Sequence, residues 1–365
     1  MKRYFRSVGL LLLAALTRLW GLEVRSLWMD EAFSHAFATV PPSIAWEAMI
    51  VDAVHPPFYY LLLRPWLDLA GGSEFALRFP SVLAGVLTVA LVIRAGRQWL
   101  GERAGQWAGL LLAVNPFHVW YSQEARMYAL LGALAIAVLM AFWWALHDTR
   151  SRSWMPLALL SAVTFSTHYF ALYLPLVQFI YLLVTFRRHH QALIPWTVTQ
   201  AAAALPLAAW LVTLYSVDGG TFGIGWIPTP RPTALLKTLW AFSMAYDGRV
   251  TPLVVLSVAA WSALLTVGVW RGPGSQSARW LLLLSLILPP LVTFLLSLRR
   301  PVYVNRFFIG GVPAFVLLAG AGLMDAPRAV RGAFGVALVG LGLWGVVCFH
   351  TDASFIREDW RGVAT

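Results

Sequence analysis

Residues 77–92 read LRFPSVLAGVLTVALV, in which Arg78 is the only charged residue. The apolar run after Arg78 ends just before the next charged residue, Arg94. Several runs in this chain reach the ~20 apolar residues that a helix needs to cross a bilayer. The 365 residues are 59% hydrophobic and only 12% charged, and the mean hydropathy is +0.71. A soluble domain of this length could not cover so apolar a core with polar surface. The sequence therefore predicts an all-α polytopic membrane protein.

We predict about 11 transmembrane helices, with interfacial helices in the first outer loop. Residues 55–71, HPPFYYLLLRPWLDLAG, are too short and too charged for a clean span. They predict an amphipathic helix at the membrane surface, with Arg64 and Asp68 on its polar side. The predicted spans are residues 7–22, 78–94, 105–121, 128–146, 155–168, 170–186, 193–215, 250–270, 280–298, 308–324 and 333–349.

The basic residues indicate how the chain is oriented in the membrane. A formal net charge of +11 would suggest a nucleic-acid partner in a soluble protein, but membrane topology explains it here, so no nucleic acid is expected. With a cytoplasmic N-terminus, the short inner loops hold the higher density of basic residues. The resulting organisation is a transmembrane domain over residues 1–349, with outer loops at 23–77 and 216–249 and an outer stub at 350–365.

The stretch LWMDEAFSHAF, residues 27–37, places Asp30 and Glu31 just after the first span. Neighbouring residues of a helix point about 100° apart, so both carboxylates cannot face one substrate atom. One acid is then the chemical group, and the other supports it. The alternative is that Asp30 caps the helix and Glu31 is a solvated acid of its first turn.

Further polar and aromatic side chains gather at the same predicted outer surface, one group directly after a helix break predicted at Asn115-Pro116. Arginines there can clamp a phosphate through the planar guanidinium, or they can snorkel to lipid headgroups. A lone histidine or a polar loop is often structural. The candidates for phosphate binding are Arg78, Arg126, Arg306 and His55, and those for the substrate pocket are Glu124, Tyr128, Tyr121, His168, Tyr169, Arg300 and Tyr303.

Sequence motifs for metals and nucleotides are missing from the chain. It has no His-Glu-x-x-His, EF-hand-type loop, cysteine pair, Gly-x-Gly-x-x-Gly or Walker loop, so we expect no metal and no cofactor, and a nucleotide donor is disfavoured. Acids and arginines on the side without nucleotides favour a donor delivered by the membrane, such as a polyprenyl-phosphate-linked monosaccharide. A carboxylate would act as general base on an acceptor hydroxyl, while arginines stabilise the departing phosphate. A single displacement predicts inversion at the anomeric carbon.

Five ordered blocks of this sequence resemble bacterial members of glycosyltransferase family 39, in the C-type glycosyltransferase superfamily. That family is similar to the protein O-mannosyltransferases and to the lipid A aminoarabinose and galacturonic acid transferases. The resemblance covers roughly the whole chain. The blocks are Asp30-Glu31, HPPFYYLL, LRFPSVLAGVLTVALV, YSQEARMYAL and NRFFIGGVPAFVLLAGAGL.

This resemblance implies an inverting transferase with a polyprenyl-phosphate sugar donor and no metal requirement. The family's first-loop acid corresponds to Asp30, with Glu31 beside it, and its arginine at the start of the next span corresponds to Arg78. Pro56 stands where the aminoarabinose enzymes have a lysine, so that phosphate contact is lost or supplied by His55. The implied location is the bacterial cytoplasmic (inner) membrane, with the active site facing the periplasm.

The acceptor stays open among a glycolipid, a polysaccharide and a protein, and membrane lipids are expected neighbours. The chain ends at REDWRGVAT, where many relatives continue into a soluble outer domain, so we expect either a minimal form or a truncated chain. The alternative functions are a transporter or flippase, or a non-catalytic scaffold, for lipid-linked sugars. A transporter would usually show repeats or interrupted helices, and we find neither repeats nor charged residues at mid-span depth.

Overall fold

A computed structural model describes residues 2–148, 150–218, 225–244, 252–352 and 355, and no β-strand occurs among them. The all-α fold class is therefore confirmed. The predicted outer loop 216–249 and stub 350–365 lie partly outside the described residues. The described α-helices, numbered in chain order, are α1 (Lys2–Leu19), α2 (Met29–Thr39), α3 (Pro42–Asp52), α4 (Phe58–Ala70), α5 (Glu74–Trp99), α6 (Glu102–Ala113), α7 (Pro116–Ser122), α8 (Tyr128–His147), α9 (Trp154–Thr167), α10 (Tyr173–Val184), α11 (Phe186–His189), α12 (Leu193–Asp218), α13 (Ala234–Met244), α14 (Pro252–Arg271), α15 (Gln276–Ser297), α16 (Val312–Asp325) and α17 (Arg328–Thr351).

Seven helices of the described chain are long and apolar enough to cross a membrane. They coincide with seven of the predicted spans. The other predicted spans fall on α1, on α6 followed by α7, on α9 and on α10. Helices α9 and α10 have only 14 and 12 residues, fewer than a full crossing needs. A multi-pass membrane protein is thus confirmed, while the number of 11 spans stays a prediction.

Helix α16 forms the centre of the bundle, because every side chain from Val312 to Leu323 is buried. Helices α6, α14 and α15 pack around it. A Cβ atom on Gly322 would lie 2.1 Å from the carbonyl oxygen of Leu264, so glycine allows α14 to approach closely. The 3-10 helix Asn305–Gly311 leads directly into α16, and this packing therefore positions that segment as well.

The break predicted at Asn115-Pro116 separates α6 from α7. The side-chain oxygen of Asn115 accepts a hydrogen bond from the backbone N–H of His118 at 2.9 Å, which caps α7. The side-chain amide donates to the carbonyl oxygen of Phe242 in α13 at 2.7 Å. Asn115 thus joins the start of α7 to α13, and α7 leads into residues 123–127.

Arg18 is a charged residue near the end of the predicted span 7–22. This side chain in the last turn of α1 is fully buried. Its Nη1 and Nη2 donate to the carbonyl oxygens of Ala113 and Leu112, each at 3.1 Å. These are the last residues of α6, whose carbonyl oxygens lose their helical partners at the break. Helix-end carbonyls therefore compensate the burial of this arginine.

Helix α4 occupies most of the stretch predicted as an interfacial helix, and it begins directly after Pro57. Tyr59, Tyr60, Leu63 and Leu67 are buried, so one face of the helix packs on the rest of the protein. Arg64 does not simply face the polar side as predicted. Its guanidinium donates to the carbonyl oxygens of Phe37 and Val40 at the end of α2, because a helix C-terminus attracts a cation. The position of α4 at the membrane surface stays a prediction.

Candidate active site

Helix α2 directs its two adjacent carboxylates into different surroundings. Trp28 is the N-cap, so Asp30 and Glu31 lie in the first turn and the capping alternative for Asp30 is wrong. The Glu31 side chain is 1% exposed, whereas that of Asp30 is 22% exposed. One acid is therefore held inside the protein, and the other can be reached by a substrate.

Glu31 is bound by two different parts of the chain. Arg78 donates from Nε to Oε1 at 2.8 Å and from Nη2 to Oε2 at 2.7 Å, a bidentate ion pair. The backbone N–H of Ala125 donates to the same Oε1 at 2.8 Å. Glu31 therefore connects α2, the first turns of α5 and the segment that follows α7.

Arg78 is engaged on all sides. Beyond its two bonds to Glu31, it donates to the carbonyl oxygens of Leu22, Arg25 and Ser26 at 2.7, 2.8 and 3.1 Å. An arginine has five N–H groups, and these contacts use all five. Phosphate binding by Arg78 stays a prediction. In this structure Arg78 holds the loop before α2 and the buried acid in place.

Arg126 reaches the same helix from the loop between α7 and α8. Its Nη1 donates to the carbonyl oxygen of Asp30 at 3.0 Å and lies 3.2 Å from the hydroxyl oxygen of Tyr60. Its Nη2 lies 3.2 Å from Nδ1 of His55. The side chain is buried, and among the described residues its Nε has no hydrogen-bond partner.

Arg306 approaches the carboxylate of the accessible acid. It belongs to the 3-10 helix before α16, and its Nη2 lies 3.7 Å from Oδ2 of Asp30. The guanidinium also faces the rings of Trp28, Tyr128 and Trp226, at 5.8, 5.7 and 5.5 Å from their centroids. Asp30 therefore lies beside two arginines, one on its carboxylate and one on its main chain.

His55 and His168 form a buried pair beside Arg126. Their ring centroids are 5.2 Å apart in an edge-to-face arrangement. Burial lowers the pKa of His55 well below its ordinary value, and Arg126 and His168 act in the same direction. Burial also lowers the pKa of His168, to about 3, assisted by Arg126 and Arg306. Both imidazoles are therefore neutral at neutral pH.

Three of the remaining pocket candidates, Tyr121, Glu124 and Tyr169, contact side chains or main chain near this centre. Tyr121 contacts Tyr128, with ring centroids 5.3 Å apart, and Glu124 accepts from Nε1 of Trp120 at 2.7 Å. The Tyr169 hydroxyl donates to the carbonyl oxygen of Ala53 at 3.2 Å, which links the turn after α9 to the end of α3.

Two other candidates have different surroundings. The hydroxyl oxygen of Tyr303 lies 2.6 Å from Oγ1 of Thr238, so this side chain packs against α13. Arg300 is exposed in the loop after α15. Their roles in the substrate pocket stay predictions.

The candidate set omitted two residues near this centre. Tyr60 contacts Arg126, and Asp52 ends α3 three residues before His55. Burial raises the pKa of the Asp52 carboxyl, while Arg126 acts in the opposite direction. Tyr60 belongs to the block HPPFYYLL, so the sequence could have indicated it as a site residue. Asp52 lies outside every sequence block that indicated the site. No cluster of three metal-ligating acid, histidine or cysteine side chains occurs in the described part of the chain.

Comparison with known proteins places this geometry in a known fold. A family model described as dolichyl-phosphate-mannose-protein mannosyltransferase matches residues 54–213. The crystal structure of ArnT from Cupriavidus metallidurans in the apo state superposes with a TM-score of 0.65 and 19% identity, over 96% of this chain and 66% of that one. This chain has the C-type glycosyltransferase fold. The fold expected from the five sequence blocks is thereby confirmed, and membership of glycosyltransferase family 39 stays a prediction.

Two further solved structures share this fold. ArnT from Cupriavidus metallidurans bound to undecaprenyl phosphate matches with a TM-score of 0.62 and 18% identity, over 91% of this chain and 63% of that one. The oligosaccharyltransferase AglB from Archaeoglobus fulgidus, in complex with an inhibitory peptide and a dolichol-phosphate, matches with a TM-score of 0.60 and 13% identity, over 98% and 56%. The chain thus spans about two thirds or less of the length of these proteins. No curated protein sequence matches it significantly.

Proposed function

We propose that this chain transfers a monosaccharide from a polyprenyl-phosphate donor to an acceptor hydroxyl, with Asp30 as the general base. The observation that carries the proposal is the arrangement around Asp30, whose partly exposed carboxylate lies 3.7 Å from Arg306 while Arg126 binds its carbonyl oxygen. A general base must be reachable by the acceptor, and a phosphate leaving group needs cations beside it. Both requirements meet at this residue.

The proposed reaction is a single displacement. The acceptor hydroxyl transfers its proton to the Asp30 carboxylate while its oxygen forms a bond to the anomeric carbon. The bond from that carbon to the phosphate oxygen breaks, and its electron pair leaves with the polyprenyl phosphate. Charge on the sugar carbon develops as in other glycosyl transfers, and attack opposite the leaving group inverts the anomeric configuration.

In this proposal the two arginines beside Asp30 bind the phosphate, whereas Arg78 positions other groups. Arg126 and Arg306 bind the phosphate, since each guanidinium keeps an Nε without a partner among the described residues. Glu31 and Arg78 are positioning residues, because their ion pair is buried and tied to the main chain. The sequence had suggested all three arginines and His55 for phosphate binding, and that role stays a prediction for Arg78 and His55.

The relatives support the class of donor. One match, ArnT, was solved with undecaprenyl phosphate, and the matching family model is named for a dolichyl-phosphate-mannose enzyme. We place the reaction at the outer face of a bacterial inner membrane, since the inner loops carry the higher density of basic residues. The acceptor is a glycolipid, a polysaccharide or a protein.

The deciding experiment measures transfer and binding separately in Asp30→Asn. Purified protein is given undecaprenyl-phosphate-linked hexoses, with membranes from a strain lacking this chain as the source of acceptors. We expect transfer to fall by about 10²–10⁴-fold, the range for loss of a general base. Binding of undecaprenyl phosphate should stay within a few-fold of wild type.

Other outcomes would contradict specific parts of the proposal. Transfer at the wild-type rate in Asp30→Asn would exclude Asp30 as the base. A product that retains the anomeric configuration would exclude the single displacement. If the folded wild-type protein binds the donor but forms no product with any acceptor, transport or scaffolding of a lipid-linked sugar becomes the better description.

A further inference from the structure

Four buried polar atoms on neighbouring side chains have no hydrogen-bond partner anywhere in the described chain. They are the hydroxyl oxygen of Tyr128, Nε2 of His168, and the Nε atoms of Arg126 and Arg306. The ring centroids of Tyr128 and His168 are 5.9 Å apart, and the Arg306 guanidinium lies 5.7 Å from the Tyr128 centroid. Buried polar groups normally have partners, so such a group of atoms indicates a site for a polar ligand.

His168 presents a hydrogen-bond donor to this site. Its Nδ1 accepts from the backbone N–H of Phe170 at 3.1 Å, so the proton of the neutral ring is on Nε2. The titratable and charged groups that face it are His55, Tyr128, Arg126 and Arg306. The two guanidinium ions disfavour a third positive charge, so the imidazole remains an uncharged donor.

The walls beside these polar atoms are aromatic. The Phe307 ring lies 5.1 Å from His168 and 6.4 Å from Tyr128, measured between centroids. The Phe170 ring lies 4.6 Å from Phe307 and 5.7 Å from His168, again between centroids. A sugar ring combines apolar C–H faces with a rim of hydroxyl groups. Aromatic walls and isolated neutral hydrogen-bonding groups therefore match its two kinds of surface.

We propose that Tyr128 and His168 form the subsite for the transferred sugar and bind hydroxyl groups of an uncharged monosaccharide. This inference rests on the proposed function and adds specificity-determining residues to it. Arg126 and Arg306 bind the phosphate end of the donor, and Tyr128, His168 and the Phe307 ring receive the sugar. An ammonium-bearing sugar fits poorly, because it would lie beside two guanidinium ions.

The test compares two ligands that differ only in the sugar. Undecaprenyl phosphate and an undecaprenyl-phosphate-linked neutral hexose are titrated into wild type, Tyr128→Phe and His168→Asn in detergent. Tyr128→Phe removes only the hydroxyl, and the Asn oxygen in His168→Asn can still accept from Phe170. We expect unchanged affinity for undecaprenyl phosphate in both variants. The additional affinity conferred by the hexose should fall by about 5–10-fold, as for one lost hydrogen bond.

Matched controls separate a local defect from a general one. Tyr173→Phe removes another buried hydroxyl without a partner in the described residues, but one that packs against Gly310, and it should keep the full hexose effect. Arg306→Ala should weaken both ligands. The apo protein should not lose thermal stability in Tyr128→Phe, because an unpartnered buried hydroxyl contributes no favourable bond.

The outcomes distinguish failure of this inference from failure of the proposed function. If wild type binds neither ligand, the donor class is wrong and the subsite fails with it. If wild type gains affinity from the hexose and both variants gain equally, the subsite is elsewhere. An equal loss for both ligands in the variants would indicate a structural role. A gain for an amino-sugar donor equal to that for the neutral hexose would overturn the assignment of an uncharged sugar.

Discussion

Glu31 shows at the scale of one residue what a local pattern can and cannot predict. Helix geometry alone predicts that the two acids diverge, and this is what α2 shows. Which acid is buried depends on Arg78 and Ala125, which lie 47 and 94 residues away in the chain. An arginine at the start of a span could equally bind a phosphate or a buried carboxylate. The sequence therefore identified the acid pair, but it did not show that Arg78 would be bound to Glu31.

Glu31→Gln is expected to destabilise the protein much more than Asp30→Asn. Removing one charge of a buried ion pair leaves Arg78 without its compensating carboxylate, a loss of about 3 kcal/mol. The partly exposed Asp30 has one ion pair at 3.7 Å, which contributes little to folding. Thermal unfolding of both variants in the same detergent measures the difference. Equal melting temperatures for the two variants would contradict the supporting role of Glu31.

At the scale of helices, the break between α6 and α7 could be predicted from the sequence, but the contact of Asn115 with α13 could not. Asparagine followed by proline is a strong signal for the start of a helix. The contact between Asn115 and the carbonyl oxygen of Phe242 joins residues 127 positions apart. No periodicity in the sequence shows that α13 would pack there. The burial of Arg18 against the end of α6 depends on the same long-range arrangement.

Asn115→Ala is expected to cost about 2 kcal/mol of folding stability, since it removes a helix cap and a buried hydrogen bond. Transfer should also fall, because α7 leads to Ala125 and Arg126 in the site. Asn115→Ser keeps a capping oxygen and loses only the bond to Phe242, so it should lose about half as much stability. Unfolding midpoints and transfer rates are measured for both. A larger loss in the serine variant than in the alanine variant would contradict the capping role.

Across the whole molecule, apolar runs predict the all-α membrane fold directly, but they do not count its crossings. Short helices such as α9 and α10 produce the same signal as a span whether or not they cross fully. The orientation can be tested by labelling single new cysteines, once the one native cysteine, Cys348, has been replaced by serine. A new cysteine at the exposed Glu47 should react with a membrane-impermeant maleimide in intact cells. A cysteine at the exposed Arg103 should react only after permeabilisation, and the reverse pattern would invert the orientation.

The pair of neutral histidines gives the folded protein a characteristic response to pH. His168 has a pKa of about 3 when folded, against about 6.5 in an unfolded chain. Above pH 6.5 neither state binds the extra proton, so the pair does not change stability there. Below pH 6.5 the unfolded chain binds protons that the folded protein does not. The free energy of unfolding therefore falls by about 1.4 kcal/mol per pH unit for each such histidine.

The melting temperature should accordingly fall between pH 7 and pH 5, and His168→Asn should make that fall less steep. Other groups also titrate in this window, so the slope of the variant is compared with that of wild type. His147→Asn is the matched control, because that ring is exposed and stacks on Trp143 at the end of α8 opposite Tyr128. It should keep the wild-type slope. Identical slopes for wild type and His168→Asn would mean that burial does not lower the pKa of His168, and would contradict the pH response expected of this buried pair.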